Sequence, residues 1–256
     1  MRGEKFAIGI DVGSTAVKLV LISGDRKVAH FAVEPTDPRI SEQASRLIRE
    51  AREKAGEEVP VVATGYGRKL VREKAREVTE ISCHARGAFH FLGREGTLID
   101  IGGQDSKVIS VGEGGTVLDF VMNDKCAAGT GKFLENAAVR LRLSVEEMGD
   151  IAAGTREEVS ISSTCTVFAE SEIVSLIAQG TDVPSIVRGL HRALVKRVVA
   201  MARTLTVAPP VMLSGGVAKN RGIQQILSEE VGLEVLIPED PQITGAVGAA
   251  LFGLDT

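Results

Sequence analysis

A short motif occurs twice in this chain and constrains its fold more than any other feature. Ile10-Asp-Val-Gly13 and Ile99-Asp-Ile-Gly102 share one pattern, and a lysine, Lys18 or Lys107, follows each aspartate by seven positions. Strand-forming residues flank both copies, so each copy predicts two strands joined by a tight turn. The repetition predicts a duplicated domain, and the alternative is chance similarity between two glycine-containing hairpins.

Strand and helix signals alternate along the remaining sequence, which favours an α/β fold. Short apolar runs predict strands over Val59–Ala63, Val211–Leu213 and Leu233–Ile237. Helical spacing and helix-forming residues predict helices over Ser41–Ala55, Lys69–Val78, Ala85–Leu92, Gly131–Leu143, Thr166–Gln179, Ile186–Leu205, Arg221–Val231 and Thr244–Phe252. The last of these consists of small residues, which suits close packing against a neighbouring element.

Composition and charge argue against several classes of partner. The 256 residues carry a formal net charge of −4 with both signs interspersed, and no basic block indicates nucleic acid. No apolar run reaches the roughly 18 residues of a membrane span. The N-terminal sequence lacks the apolar region of a signal peptide, so we expect a cytoplasmic protein. In that compartment, three cysteines argue against a disulfide framework.

The turns of the two hairpins suit a polyphosphate. Gly13 and Gly102 permit close approach of a ligand, and successive backbone N–H groups in such a turn form a concave anion site. Asp11 and Asp100 offer the oxygen ligands that Mg²⁺ prefers, reached through water. Either aspartate alone could simply bond its own turn, but the pair favours phosphate. Each lysine of the repeat either meets phosphate or is a solvated strand residue.

Two glycine-rich segments remain. The strand over Val211–Leu213 runs into Gly215-Gly216, which lets a flat adenosine ring lie against the backbone; such turns are also common in α/β proteins without this role.

Gly129-Thr-Gly-Lys132 looks like part of a P-loop. We reject that interpretation, because Cys126 stands where the first glycine belongs and Phe133 replaces the hydroxyl residue.

Two cysteines stand just before predicted helices. Cys126 precedes the helix that begins near Gly131, and Cys165 directly precedes Thr166. Free N–H groups and the helix dipole at such positions favour a thiolate, which suits an iron–sulfur cluster. A cubane needs about four cysteine ligands, so a two-fold dimer would supply the set. The alternatives are small buried residues or a reactive redox thiol, and we expect Cys83 to be structural.

The order of these elements, from Ile8 to Leu251, resembles the actin/Hsp70/sugar-kinase superfamily. That resemblance implies an α/β fold of duplicated actin/Hsp70-like (ribonuclease H-like) domains with ATP in a cleft between them. The implied domains are residues 1–95 plus 242–256, and residues 96–241, the second of which carries the cluster cysteines.

Four longer motifs narrow the resemblance: Thr64–Arg68, Asp100–Lys107, Asn123–Leu134 and Ser163–Glu172. They are similar to those of ATP-dependent activators of 2-hydroxyacyl-CoA dehydratases, in the BadF/BadG/BcrA/BcrD-type ATPase family. That family also includes ATPase subunits of benzoyl-CoA reductase and reductases of double-cubane cluster proteins. The resemblance implies a homodimer with one [4Fe-4S] cluster at its interface, bound by Cys126 and Cys165 of each protomer.

The function implied is ATP-driven electron transfer. A ferredoxin or flavodoxin would be the donor, and a 2-hydroxyacyl-CoA dehydratase the acceptor, with a double-cubane cluster protein or benzoyl-CoA reductase as alternatives. We expect Mg²⁺ and attacking-water placement to involve Asp11, Asp100, Gln104 and Asp105. The residues expected to bind ATP or ADP are Gly13, Ser14, Thr15, Lys18, Gly102, Gly103, Gln104, Gly215, Gly216 and Asn220. Competing functions are a small-molecule kinase of the same superfamily without a cluster, and a nucleotide-gated chaperone-like module.

Overall fold

The structure is a computed structural model that describes residues 5–56, 58–162 and 165–255. Its strands are β1 Phe6–Val12, β2 Ala16–Ser23, β3 Val28–Pro35, β4 Val61–Thr64, β5 Arg76–Glu77, β6 Gly96–Ile101, β7 Ser106–Val111, β8 Val117–Asn123, β9 Val211–Ser214 and β10 Val235–Leu236. Its α-helices are α1 Ile40–Ala55, α2 Glu80–Leu92, α3 Gly131–Leu141, α4 Val145–Gly154, α5 Thr166–Ala178, α6 Val183–Ala202, α7 Arg221–Val231 and α8 Thr244–Leu254.

The strands form two five-stranded sheets of the same topology. The first sheet has the order β3-β2-β1-β4-β5, and the second has the order β8-β7-β6-β9-β10. In the first sheet β1 pairs antiparallel with β2 and parallel with β4, so the sheet is mixed. Each strand of the first sheet therefore has a counterpart five strands later in the chain. The duplicated α/β fold predicted from the repeated motif is confirmed.

The chain separates into two compact units. One comprises residues 1–98, 109–119 and 242–256, and the other comprises residues 99–108 and 120–241. The C-terminal segment thus belongs to the same unit as the N-terminal sheet. The assignment of residues 1–95 plus 242–256 and of residues 96–241 to two actin/Hsp70-like domains stays a prediction.

The first unit buries both faces of its sheet. On β1, Ile8 and Ile10 pack with apolar residues of α1, such as Leu47 and Ile48. Ala7 lies in a separate cluster with residues of α8. Because successive side chains of a strand point to opposite faces, β1 contacts α1 on one face and α8 on the other. Both faces are therefore apolar, and the strand sequence is a continuous apolar run.

Helix α8 packs against α2 at van der Waals contact. A Cβ atom added at Gly248 would lie 1.7 Å from the Cys83 carbonyl oxygen, and one added at Gly87 would lie 2.0 Å from the Thr244 carbonyl oxygen. Each glycine therefore faces backbone of the opposite helix, and any side chain there would separate the two helices. The close packing expected of the small-residue helix is confirmed.

The core of the second unit lies between its strands and five helices. Buried apolar residues of β6, β7 and β9 pack with α3, α4, α5, α6 and α7. Helix α4, which sequence patterns did not predict, begins with a capping box in which the Ser144 hydroxyl and the Glu147 carboxylate bond each other's backbone N–H groups.

The helix predicted over Lys69–Val78 is wrong. The segment forms a 3₁₀ turn at Arg68–Leu70 and then strand β5. Its backbone N–H groups are drawn to β4, because Ala75 donates to the Val61 carbonyl (2.8 Å) and Val78 to the Ala63 carbonyl (3.0 Å). Pairing with a buried strand outweighs the helix propensity of the segment.

No α-helix in the described ranges is long and apolar enough to cross a membrane.

The contact of α8 with α2 gives a stability test. We expect Gly248→Ala to lower the free energy of unfolding by about 1–3 kcal/mol, since the added methyl group forces the helices apart. The matched change Gly154→Ala places a methyl group where nothing lies within 4 Å, so it should be neutral or slightly stabilising. Urea denaturation of the two variants measures the difference, and equal midpoints would contradict the packing described.

Candidate functional site

The first hairpin contains a cross-strand pair of an acid and a base. Asp11 on β1 stands opposite Lys18 on β2, and the Lys18 ammonium donates to Asp11 Oδ2 at 3.1 Å. Asp11 is only 2% exposed, whereas the Lys18 side chain is 19% exposed. The spacing of seven residues in the sequence motif is therefore the spacing that places the two side chains opposite each other across the hairpin.

The second carboxylate oxygen of Asp11 lacks a donor. Asp11 Oδ1 is buried and has no hydrogen-bond partner among the described residues. Thr64, the residue paired with Asp11 in β4, is also buried, and its hydroxyl faces the Cys83 thiol. A Cβ atom added at Gly65 would lie 2.4 Å from Asp11 Oδ1, so only glycine fits there. A buried carboxylate oxygen without a donor is suited to bind a cation or an ordered water.

The turn of the first hairpin is held from the end of β3. The Thr36 hydroxyl donates to the Gly13 carbonyl at 2.8 Å, and its N–H group donates to the Thr15 carbonyl at 3.1 Å. Ser14 and Thr15 are exposed at the tip of the turn. Sequence reasoning did not identify Thr36, because it lies far from the motif and follows a strand that was not predicted.

The second hairpin encloses a buried lysine. Lys107 is 1% exposed, and its ammonium lies 3.3 Å from Asp100 Oδ2 and 2.5 Å from Asp105 Oδ2. The Ser214 hydroxyl donates to Asp100 Oδ1 at 2.5 Å. For Lys107, the alternative of a solvated strand residue is wrong. Asp100 already has donors on both oxygens, so the two aspartates of the repeat differ in what they offer a cation.

The turn of this hairpin is tied to the beginning of α3. The N–H groups of Gly131 and Lys132 donate to the carbonyls of Gly102 and Gly103, both at 2.8 Å. Those donors are therefore engaged, which fits the rejection of a P-loop at this position. Gln104, at the tip of the turn, is exposed. The link connects the predicted phosphate turn to the segment that follows Cys126.

The double glycine after β9 packs closely against the backbone of β6. Gly215 has φ +90°, and a Cβ atom added to it would lie 2.3 Å from the Ile101 carbonyl oxygen. Gly216 begins a 3₁₀ turn that leads to Asn220. The Asn220 side chain caps α7 by accepting from the Ile223 N–H group (3.0 Å). Its amide group donates to the Val145 carbonyl. A nucleotide contact by Asn220 stays a prediction, and the structure shows a capping residue.

Cys126 lies in a loop with many internal hydrogen bonds. Its N–H group donates to Asn123 Oδ1 at 3.3 Å, and the Asn123 amide donates to the carbonyls of Cys126 (2.9 Å) and Ala128 (3.1 Å). The thiol is partly exposed and lies 3.6 Å from the Arg197 guanidinium, which donates to it.

The expectation that Cys126 lies at a helix N-terminus is wrong, because Thr130 is the N-cap of α3. Cys126 lies five residues before the first residue of α3, and the first N–H groups of that helix bond Gly102 and Gly103. The dipole acts mainly within the first turn of a helix. Arg197 supplies the positive charge at this sulfur instead.

Cys165 occupies the N-cap of α5, as the sequence predicts, and is partly exposed. Ser163 and Thr164, which begin its motif, lie outside the described residues. One face of α5 presents apolar side chains to solvent: Val167 and Phe168 are each 68% exposed, and Val174 is 47% exposed. Among the described residues, no group of three or more His, Cys, Asp or Glu side chains is arranged to hold a metal ion.

Cys83 is fully buried in α2, with Val62 and Ala249 as neighbours. Burial raises the pKa of its thiol to about 12. The thiol therefore stays protonated at neutral pH and is unsuited to bind a metal, which agrees with the structural role expected of it.

Comparison with known proteins assigns the chain to a protein family. The model of the BadF/BadG/BcrA/BcrD ATPase family matches residues 8–253. The chain belongs to this family. Two relatives are 41% identical: the 2-hydroxyisocaproyl-CoA dehydratase activator of Clostridioides difficile, over 98% of this chain and 95% of the relative, and the (R)-2-hydroxyglutaryl-CoA dehydratase activating ATPase of Acidaminococcus fermentans, over 96% of each. One of the benzoyl-CoA reductase subunits of Thauera aromatica is 30% identical over 96% of this chain and 92% of the relative.

Solved structures agree with the family assignment. Component A of the Acidaminococcus fermentans dehydratase matches with a TM-score of 0.92 at 40% identity, over 98% of both chains. A ROK family glucokinase from Streptomyces griseus matches with a TM-score of 0.62 at 16% identity, over 98% of this chain and 100% of that chain. The second likeness shows the fold alone, which is that of the sugar kinases. As a member of the BadF/BadG/BcrA/BcrD family, this protein is an ATPase.

The buried lysine gives a second stability test. We expect Lys107→Met to lower the free energy of unfolding by about 3–5 kcal/mol, because it leaves two carboxylates without their shared cation. Lys27→Met is the matched control: Lys27 pairs with Asp25 at 2.7 Å, but both side chains are exposed. Its loss should change stability far less than the loss of Lys107, because water screens an exposed pair. Urea denaturation measures both variants, and similar losses would show that Lys107 does not hold the second hairpin together.

Proposed function

We propose that this ATPase couples nucleotide hydrolysis to the transfer of a low-potential electron to a 2-hydroxyacyl-CoA dehydratase. Two copies of the chain bind one [4Fe-4S] cluster between them through Cys126 and Cys165. The observation that carries the proposal is the link from the turn at Gly102 and Gly103 to α3, because it joins a predicted phosphate site to the loop of Cys126.

The choice of acceptor follows from the relatives. Two proteins that are 41% identical to this chain are named for dehydratases of 2-hydroxyacyl-CoA thioesters, whereas the benzoyl-CoA reductase relative is 30% identical. Each is matched over nearly its whole length. We therefore propose a dehydratase as the acceptor and benzoyl-CoA reductase as the less similar alternative.

The cysteines fit a shared cluster. Both thiols are partly exposed, and the helices that follow them, α3 and α5, pack against each other. A cubane needs about four thiolate ligands, and two copies of the chain supply four. When bound, the cluster supplies a one-electron carrier. The apolar face of α5, beginning two residues after Cys165, fits a dimer interface, because a large exposed apolar patch marks a protein–protein contact.

The first hairpin fits a nucleotide-bound Mg²⁺ ion. Mg²⁺ binds through one or two carboxylates and keeps several waters, which suits the unpartnered Asp11 Oδ1. In this proposal Lys18 holds the Asp11 carboxylate in place. Ser14 and Thr15 present the exposed turn to phosphate, and the exposed Gln104 of the second hairpin orients the attacking water.

Coupling uses the α3 link. When a phosphate binds the turn of the second hairpin and moves it, the carbonyls of Gly102 and Gly103 move as well. The N–H groups at the start of α3 follow, and the loop of Cys126 follows them. A ferredoxin or flavodoxin is the proposed donor.

Hydrolysis of one or two nucleotides can supply the energy that the proposed electron transfer requires. A plant-type ferredoxin lies near about −400 mV, and clusters reach about −700 mV. Moving one electron over that interval of about 300 mV costs about 7 kcal/mol, since roughly 59 mV corresponds to a tenfold change in equilibrium.

The role of Asp11 can be tested through hydrolysis. We expect Asp11→Asn to lower the rate constant of Mg²⁺-dependent ATP hydrolysis roughly 10²-fold, because an amide is a poorer cation partner than a carboxylate. Asp25→Asn removes the same charge from an exposed lysine pair and should leave the rate unchanged. Steady-state phosphate release measures both. An Asp11→Asn variant with unaltered turnover would remove Asp11 from the nucleotide site.

The cluster can be tested by iron content. Anaerobically reconstituted protein should hold about four irons per dimer, and Cys126→Ala or Cys165→Ala should lose them. Cys83→Ala is the matched control, because it removes a cysteine that is fully buried, and it should retain the iron. Iron analysis and the mass of the assembly in solution give the result. If the chain were instead a kinase without a cluster, neither the unaltered protein nor any of the variants would hold iron.

A further inference from the structure

Arg197 makes a contact that the proposed mechanism does not use. It lies on α6, and its Nη2 atom donates to Cys126 Sγ at 3.6 Å. Lys125, next to Cys126 in the sequence, is exposed to solvent, whereas Arg197 is partly buried. The guanidinium therefore approaches the sulfur where water screens its charge less than at the surface.

The loop of Cys126 fits closely over this arginine. Gly129 has φ +87°, and a Cβ atom added to it would lie 3.2 Å from the Arg197 side chain at Cδ and 3.5 Å at Cγ. Together with the two hydrogen bonds between Asn123 and the Cys126 backbone, this close approach sets where the loop places the Cys126 sulfur relative to the guanidinium. The contact is thus built by backbone geometry as well as by charge.

A cavity of about 240 Å³ lies along the same side chain, lined by Ser106, Asn123, Gly129, Arg197, Val198 and Met201. The arginine therefore has open space on one side and the cysteine loop on another. A side chain in such a position can make or lose a sulfur contact without repacking the core.

The chemistry follows from the charge of the sulfur. A [4Fe-4S] cluster with four thiolates is anionic and gains a further negative charge when it accepts one electron; no bond forms or breaks. A hydrogen bond from a cation to a ligating sulfur stabilises the more negative state and raises the reduction potential. The Cys165 side chain, by contrast, makes no capping hydrogen bond to the backbone of α5.

We propose that Arg197 is a positioning residue that raises the reduction potential of the cluster through Cys126. The inference rests on the proposed function, since it requires a cluster at this cysteine. In a dimer, two arginines act on two of the four sulfur ligands. The contact makes the cluster easier for its donor to reduce, and its loss makes the reduced cluster a stronger reductant.

The test is a mediated redox titration, followed by electron paramagnetic resonance, on anaerobically reconstituted full-length protein. In Arg197→Ala we expect the reduction equilibrium to shift about tenfold towards the oxidised cluster, which is about 59 mV for one electron. Arg197→Lys keeps the charge and should return part of the shift. Lys196→Ala is the matched control, because it removes one exposed positive charge from the adjacent position of α6.

The outcomes separate the two proposals. Failure of the unaltered protein to hold iron rejects the shared cluster itself. Equal potentials in loaded unaltered protein and loaded Arg197→Ala overturn the role of Arg197 alone, and so does an equal shift in Lys196→Ala. If Arg197→Ala does not hold the cluster, the reduction potentials of Arg197→Lys and Arg197→Gln are compared instead. A lower potential in the glutamine variant supports the inference, and equal potentials contradict it.

Discussion

Two backbone hydrogen bonds, from Gly131 and Lys132 to the carbonyls of Gly102 and Gly103, join the two chemical parts of the second unit. One part is a hairpin turn that the sequence predicts to bind phosphate, and the other is a loop that carries a cysteine. Backbone bonds between a turn and a helix start do not depend on side-chain rotamers, so they transmit displacement directly. The family relation makes the protein an ATPase, and in the proposed mechanism this link connects the bound nucleotide to Cys126.

The two hairpins show how duplication permits divergence. Both place a lysine opposite an aspartate, yet Lys18 is partly exposed while Lys107 is buried with two carboxylates. The first copy keeps an aspartate oxygen without a donor, which suits a cation. The second copy satisfies its aspartate with Ser214 and Lys107, which suits a rigid anchor for the turn. The same motif therefore leaves an aspartate oxygen without a donor in one copy and encloses its lysine between two carboxylates in the other.

Sequence reasoning succeeded where the signal is local. The hairpins, the duplicated fold and the bounds of α7 were all predicted, because each depends on a short pattern of strand, glycine or helix-forming residues. Strand β3 was not predicted, since it lies at the edge of its sheet, half exposed and without a continuous apolar run. The contact of Arg197 with Cys126 spans 71 residues of sequence, and no local pattern marks it. Thr36 and Ser214 likewise reach the hairpins only through the fold.

The most direct measurement is the rate at which a chelator removes iron from the reconstituted dimer in three states: without nucleotide, with Mg-ADP, and with a slowly hydrolysed ATP analogue. If the hairpin turn moves the loop of Cys126, the ATP analogue should change this rate several-fold relative to Mg-ADP. Equal rates in all three states, with binding of both nucleotides verified, would contradict the coupling of the nucleotide turn to the cysteine loop.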